Sequence, residues 1–295
     1  MTTTVRTPGV AAFELRLSDE RTLTLGGDAP CRVMGILNVT ADSFSDGGRF
    51  LEASKAVEHA FRMAEEGADI IDVGGESTRP GAEPVPADEQ TRRILPVIEG
   101  VAQRSDVPIS VDTSSAEVAR RALDAGACMV NDVTALRGDP ALATLVAKRG
   151  GGIVLMHMRG TPRDMQKNPV YDDVVADVAR FLDERIAFAV SRGIERDRIV
   201  VDPGIGFGKT LAHNLELLRR LDEFQALRRP VMVGTSRKSM IGAILGRPTD
   251  DRLFGTLATV AASAERGAAL VRVHDVRPAA DVIRVMTAIR GRADR

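Results

Sequence analysis

Acids, amides and cations recur in this chain at one kind of place, the last residues of short apolar runs. Asn38 closes "RVMGILN" (32–38), Asp72 lies near the end of "ADIIDVG" (68–74), and Asp112 closes "VPISVD" (107–112). Asn131 and Asp132 end "ACMVND" (127–132), His157 ends "GIVLMH" (152–157) and Asp202 ends "RIVVD" (198–202). "GTSRK" leaves "PVMVG" (230–234), and Arg272 and His274 stand two apart in "ALVRVHD" (269–275). A carboxylate in apolar surroundings needs donors. Asp112 and Asp202 could take them from an internal arginine, which would make them structural. They could equally take them from a heterocycle, since a carboxylate accepts two parallel N–H bonds from an amino-pyrimidine edge. Arg272 and His274 share a strand face by the period of two. Ser236 and Ser239 mark a helix start, where backbone N–H groups favour an anion. These features read as a phosphate site beside a heterocycle site.

Other motifs narrow the chemistry. "DPGIGFGKT" (202–210) misses the phosphate-loop pattern by one residue, because Pro203 stands where the first glycine is needed. Its glycines fit a tight turn beside a ligand, with Phe207 as an apolar wall, and Lys209 is as compatible with a solvated loop as with a contact. Arg237 and Lys238 are adjacent and should diverge, one inward and one structural. His59 and His213 fall on helical segments and are expected at the surface, whereas His157 either lines the mouth or caps a strand. No HExxH, HxH or Cys/His cluster supports a tight transition-metal site, and no GxSxG marks a serine nucleophile. Asn38 could still help hold Mg²⁺ if a substrate supplied phosphate oxygens.

The elements that must position these residues are legible in the periodicity. Eight apolar runs alternate with amphipathic segments such as "EASKAVEHAFRMAEEG", in which Ala56, Val57, Ala60, Phe61 and Ala64 recur at helical spacing. Gly67, Gly126, Gly193 and Gly267 stand where helix C-terminal glycines belong. Near-continuous apolar runs suit strands covered on both faces. The pattern predicts a single (β/α)8 barrel of the TIM type over residues 30–295. An open doubly wound sheet fits less well, since no GxGxxG follows the first strand. "AFELRLSDERTLTL" (12–25), within an N-terminal extension of residues 1–29, predicts a β-hairpin covering the barrel bottom. Barrel enzymes carry their sites at the C-terminal strand ends, where these polar residues lie.

Composition excludes other classes. The net charge of −1 over 295 residues, without a basic tail, gives no reason to expect nucleic acid or membrane binding. "MTTTVRTPGV" lacks an apolar signal core and no segment reaches transmembrane length. Cys31 and Cys128, far apart and outside any CxxC, are expected as buried free thiols. A cytoplasmic protein is the resulting expectation.

With these residues set out, the chain resembles the dihydropteroate synthase family, the folate-pathway enzymes that sulfonamides inhibit. The resemblance spans residues 32 to 291. It rests on "GILNVTADSFSDGG", "GADIIDVGGESTRPGA", "ISVDT", "VNDVTA", "MHMRGTP", "DPGIGFGKT", "VGTSRKSMIG" and "RVHDV", in the family's order. Ala41 stands where the family most often has proline, which changes loop stiffness and no reacting group. The resemblance implies condensation of 6-hydroxymethyl-7,8-dihydropterin diphosphate with 4-aminobenzoate, giving dihydropteroate and diphosphate, with Mg²⁺ and a homodimer. Asp112, Asn131, Asp202 and Lys238 would bind the pterin, and Arg272 and His274 the diphosphate, with Asn38 on the metal. Thr78, Arg79, Pro80, Phe207 and Ser239 would shape the aminobenzoate site, and Met156 and Val273 would also touch substrate. Phe44, Asp42 and Asp46 belong to "NVTADSFSDGG" (38–48), a loop expected to close over the bound substrates, its acids lying near a developing cation. Two rivals share part of this pattern. One is a catalytically silent pterin-binding paralogue. The other is a folate–corrinoid methyltransferase barrel, which would have no use for the diphosphate group.

Overall fold

A computed structural model describes residues 11–18, 20–39, 49–77, 82–161 and 163–291. After a hairpin, β1 (Ala12–Arg16) and β2 (Thr22–Gly26), the chain lays down eight parallel strands. They are β3 (Arg32–Asn38), β4 (Ile70–Gly74), β5 (Ile109–Asp112), β6 (Met129–Asp132), β7 (Gly152–Met156), β8 (Ile199–Asp202), β9 (Met232–Val233) and β10 (Leu270–Val273). Each strand from β3 to β7 pairs with the next, and β10 pairs with both β3 and β9. A single bridge, Val201 to Val231, joins β8 to the chain entering β9 and closes the ring. The expected (β/α)8 barrel is therefore present.

Helices follow the strands in order: α1 (Arg49–Glu65), α2 (Ala87–Ala102), α3 (Ala116–Asp124), α4 (Pro140–Arg149), α5 (Val174–Ser191), α6 (Leu211–Arg219), α8 (Leu253–Glu265) and α9 (Val276–Ile289). A short extra helix, α7 (Ser239–Leu245), is inserted between β9 and α8. Their starts follow from local sequence. Ser115, Asp139 and Asp173 each accept a first-turn backbone N–H of α3, α4 or α5, and Thr210 forms a capping box with His213 on α6. The four glycines expected at helix ends all have φ between 88° and 115°, a region that a side chain would strain.

The period of two sorts the strand side chains into two cores. Val33, Ile71, Val111, Val130, Leu155, Val201, Val233 and Val271 pack outward against the helices. Met34, Ile70, Met129, Val154, Val200, Met232 and Leu270 fill the lower barrel, and there they meet Leu15, Leu17 and Leu25 of the hairpin, all fully buried. The hairpin therefore plugs the bottom, as its alternation suggested. Leu15→Ala is expected to cost about 2–5 kcal/mol through a cavity at the base. Its kinetic constants should stay at the wild-type values, because the plug lies at the opposite end from the strand-end carboxylates. Urea unfolding beside steady-state kinetics checks both halves of that expectation.

The two cysteines are unpaired but only partly buried. Each precedes its strand by one residue, Cys31 before β3 and Cys128 before β6, at the entry end of the barrel rather than inside a run. Burial still pushes both thiols up, Cys31 to about 12, so the sulfur atoms are as sheltered as the sequence suggested although the residues are half-buried.

Candidate active site

At the C-terminal ends of the strands a cavity of about 380 Å³ opens above the apolar plug. Ten of the residues that the resemblance assigns to ligands line it, namely Asn38, Asp112, Asn131, Met156, Asp202, Phe207, Lys238, Ser239, Arg272 and His274, and Ser236 and Arg237 line it with them. Asp42, Phe44, Asp46, Thr78, Arg79 and Pro80 lie outside the described residues. Val273 does not belong to the lining. One position along the strand from Arg272, it faces the helices and packs in the outer core, so its side chain cannot reach a ligand in the barrel.

The floor of the cavity is a chain of charges built around Asp72, a residue that sequence reasoning placed at a strand end without giving it a role. Its carboxylate is 0 % exposed. Oδ2 accepts from Arg272 Nε at 2.6 Å and from Asn131 Nδ2 at 2.9 Å, while Oδ1 has no partner among the described residues. Arg272 Nη2 donates to Asp112 Oδ2 at 2.7 Å, so one guanidinium bridges two buried acids. For Asp112 the internal-arginine alternative is therefore realised. Two acids against one cation leave an excess of negative charge, and burial, offset by Arg272 but reinforced by Asp72, pushes Asp112 up to about 7. Among the described residues Asn131 Oδ1 and Ser110 Oγ are buried without a hydrogen-bond partner. Native interiors seldom leave such acceptors open unless something fills them.

Asp202 is organised differently. No arginine pairs with it; Gly204 N–H donates to Oδ1 at 2.7 Å. Burial raises its pKa against the opposing pull of Lys238. The adjacent cations diverge as expected. Arg237, at φ +57°, forks onto Asp275 through Nε–Oδ2 at 3.0 Å and Nη2–Oδ1 at 2.6 Å. Lys238 turns inward, bonds the Ile205 carbonyl and stands 4.6 Å above the Phe207 ring. Burial lowers its ammonium to about 8. Phe207 packs against Val133, Met156, Met158 and Met165, giving the cavity one apolar wall. On the opposite side His274 Nδ1 lies 2.9 Å from Ser236 Oγ, which also accepts the His274 backbone N–H.

Lys209 is not a solvated loop residue. It is 3 % exposed and its Nζ lies 2.8 Å from His157 Nδ1. His157 neither caps its strand nor lines the barrel cavity. It is buried behind the wall, facing a second cavity with Tyr171 and Phe181. The signal that could have found this pair is the glycine spacing of "DPGIGFGKT", since a turn with so few side chains can fold back on its own lysine. Arg252 and Thr249, which also reach the cavity, arrive through the turn after α7 and carried no such signal.

Comparison with known proteins agrees with this geometry. Residues 34–274 match the model of a family described as pterin binding enzyme. The dihydropteroate synthase of Escherichia coli (strain K12) is 49% identical over 256 residues, covering 87% of this chain and 90% of that protein. A Xanthomonas albilineans dihydropteroate synthase with 4-aminobenzoic acid superposes with a TM-score of 0.87 at 48% identity, covering 95% of this chain and 99% of that one. The same organism's enzyme in complex with 7,8-dihydropteroate gives 0.83 at 45% identity, over 93% and 98% of the two chains.

Proposed function

The chain belongs to the dihydropteroate synthase family of pterin-binding enzymes, and from that premise we propose how its cavity performs the family's reaction. It condenses 6-hydroxymethyl-7,8-dihydropterin diphosphate with 4-aminobenzoate, forming 7,8-dihydropteroate and releasing diphosphate. The pterin enters the barrel with its donor-rich edge on Asp202 and Asn131, its carbonyl towards Lys238, and Asp112 with Arg272 beneath it. The open acceptor Asn131 Oδ1, buried without a partner, is the observation that supports this seating. Arg272 has two of its nitrogens committed to Asp72 and Asp112. Its contribution to the diphosphate is therefore field rather than a full fork, with His274 and Ser236 nearest that end.

The leaving bond is the one between the pterin methylene carbon and the diphosphate oxygen. Its electrons depart with diphosphate, and the electron-rich dihydropterin spreads the positive charge left on the methylene. The aniline nitrogen of 4-aminobenzoate, held along Phe207 and Ser239, then attacks that carbon and loses a proton. No protein nucleophile is needed. Asp42 and Asp46 would add negative charge near the cation, and Phe44, Thr78, Arg79 and Pro80 would complete the aminobenzoate side.

For Mg²⁺ the fit rests on Gly74. With no side chain there, Asn38 Oδ1 and Asp112 Oδ2 face the same gap, 3.6 and 3.8 Å from where a Cβ would stand. This oxygen-only set suits a Mg²⁺ that takes its other ligands from diphosphate and water, with Asn38 as the protein ligand. When bound, the ion neutralises charge on the leaving diphosphate.

A pH dependence follows from the two shifted groups. Asp112 must be ionised to hold Arg272 beneath the pterin, and its pKa is raised to about 7 by burial, so pterin use falls as pH drops through that value. Lys238 must be protonated to donate, and burial lowers it to about 8, so pterin use also falls as pH rises through 8. A bell-shaped kcat/KM profile for the pterin, with limbs near these values, is expected. A profile flat from pH 6 to pH 9 would remove both assignments.

Two further readings rest on less. The two unpaired cysteines fit a reducing cytoplasm, and no helix among the described residues is long and apolar enough to cross a membrane. A homodimer is supported by apolar side chains left exposed on neighbouring α7, α8 and α9, among them Ile244, Phe254 at 82 % exposure and Ile289. Light scattering tests it. The reaction itself is tested by diphosphate release from dihydropterin diphosphate and Mg²⁺, with and without 4-aminobenzoate. Release coupled to dihydropteroate formation is the expected result. Tight pterin binding without turnover would instead make the chain a silent pterin binder.

A further inference from the structure

We propose that Lys209 is a positioning residue for this reaction: bound to His157, it fixes the turn from Gly204 to Phe207, which sets both Asp202 and the aromatic wall. The proposal rests on the synthase reading above. The ammonium has three N–H bonds and meets three acceptors, His157 Nδ1 at 2.8 Å, Gly204 O at 2.9 Å and Phe207 O at 3.0 Å. No other side chain holds both ends of the turn. Between those ends the remaining carbonyls are taken singly: Ile205 O by Lys238, Gly206 O by Gln166 and, just beyond, Gly208 O by the Tyr171 hydroxyl.

Each end of the turn is tied to a substrate-facing group. Gly204 N–H donates to Asp202 Oδ1 at 2.7 Å, and Phe207 presents its ring below Lys238. The turn is also pressed against the exit of β7. A Cβ on Gly204, at φ +68°, would run into the His157 carbonyl oxygen, and one on Gly208, at φ +65°, into that of Arg159. Such an approach needs an internal tie, because bare glycines lose the most conformational freedom on ordering. Burial pulls the Lys209 ammonium well below its ordinary pKa, against the opposing charge of Asp202, and a buried cation is costly to keep unless its donors are met. Here they are met by the two carbonyls whose positions matter and by an imidazole that burial, and then the neighbouring ammonium, hold in the neutral accepting form.

The test combines kinetics with a spectroscopic reporter. Lys209→Met keeps an unbranched side chain one atom shorter and removes its donors. It should raise the KM of both substrates by about tenfold or more, with kcat at saturation within about threefold. His157→Leu should move both constants the same way. His157→Asn, which can place an amide oxygen near the Nδ1 position, should stay within about threefold of wild type. The chain contains no tryptophan, so Phe207→Trp gives a single reporter on the turn. Adding Lys209→Met to it should increase acrylamide quenching in the absence of any substrate.

A fall in kcat at constant KM would mean a smaller active fraction and would overturn the proposal. So would unchanged constants in both Lys209→Met and His157→Leu, or an asparagine variant no better than leucine. If Lys209→Met does not fold, the two His157 variants decide. Wild-type protein that releases no diphosphate would refute the synthase reading, and the quenching experiment would still judge the clamp.

Discussion

Arg272→Met is expected to abolish turnover and to lower folding stability by about 3–5 kcal/mol, the usual result of removing one partner from a buried ion pair. The reason lies in what the guanidinium touches. Asp72 has no solvent access, and Asp112 is nearly as buried. Without Arg272 their charges face one another in a medium that screens them poorly. The chain can relieve this by protonation, which gives the loss a pH signature. In the variant the folded pKa of Asp112 rises further above its ordinary value. Between the ordinary value and the raised one, the folded state then holds a proton that the unfolded state has released. Its stability therefore falls as pH increases through that window. The gap between wild type and variant should be smaller at pH 5 than at pH 8 in urea titrations. Arg272→Lys should recover part of the stability and little of the activity, since an ammonium cannot repeat the two-acid fork. An unchanged urea midpoint for Arg272→Met at pH 8 would mean that the acids are already neutral or solvated in the native state.

Asp202→Asn separates binding from folding. Among the described residues this carboxylate takes a single hydrogen bond, from Gly204 N–H to Oδ1, which an amide oxygen can accept equally. Burial already penalises the charge. Neutralising it also removes the charge that faces the buried Lys238 and Lys209, so the two effects oppose and melting temperature should change little. Towards the pterin the change removes the one charge-assisted acceptor of the pair Asp202 and Asn131 and turns a donor against a donor. Charge-assisted bonds contribute about 1.5–3 kcal/mol each. Losing one bond and gaining the clash should lower kcat/KM for the pterin by roughly 10²–10³ fold, about 3–4 kcal/mol. A drop of less than about threefold would show that the heterocycle's donor edge lies elsewhere in the barrel, and Asp112 would then be the acid to test.

The barrel was legible because its pattern is local. Period-two burial, capping residues and end-of-helix glycines can each be read without knowing what lies opposite. The positions of Asn131 and Asp202 followed from the same rule, that strand ends point into the mouth, whereas the choice of Lys238 over Arg237 as the inward cation came from the family resemblance. What stayed hidden depends on contacts across the ring. Asp72 reads like any strand-end acid until Arg272, 200 residues away in sequence, is seen to reach it. Lys209 reads equally as a solvated loop residue or a contact, because its burial depends on a histidine 52 residues upstream. Val273 was misassigned for a simpler reason. A motif match carries a whole segment over, whereas the strand period lets only alternate residues of "RVH" face inward.

The ring of strands is not equally strong all round. Between β8 and β9 it is joined by one bridge, and β9 itself is two residues long. Asp202 ends one side of that junction, and the turn carrying Lys238 leaves the other. Local unfolding begins where the fewest backbone bonds must break. Amide protons at Val201 and Met232 should therefore exchange sooner than those of β4 and β5. A pterin bridging Asp202 and Lys238 would lie across this weak point as a tie. Ligand would then slow exchange at Val201 and Met232 most, joining the cohesion of the barrel to the occupancy of its mouth.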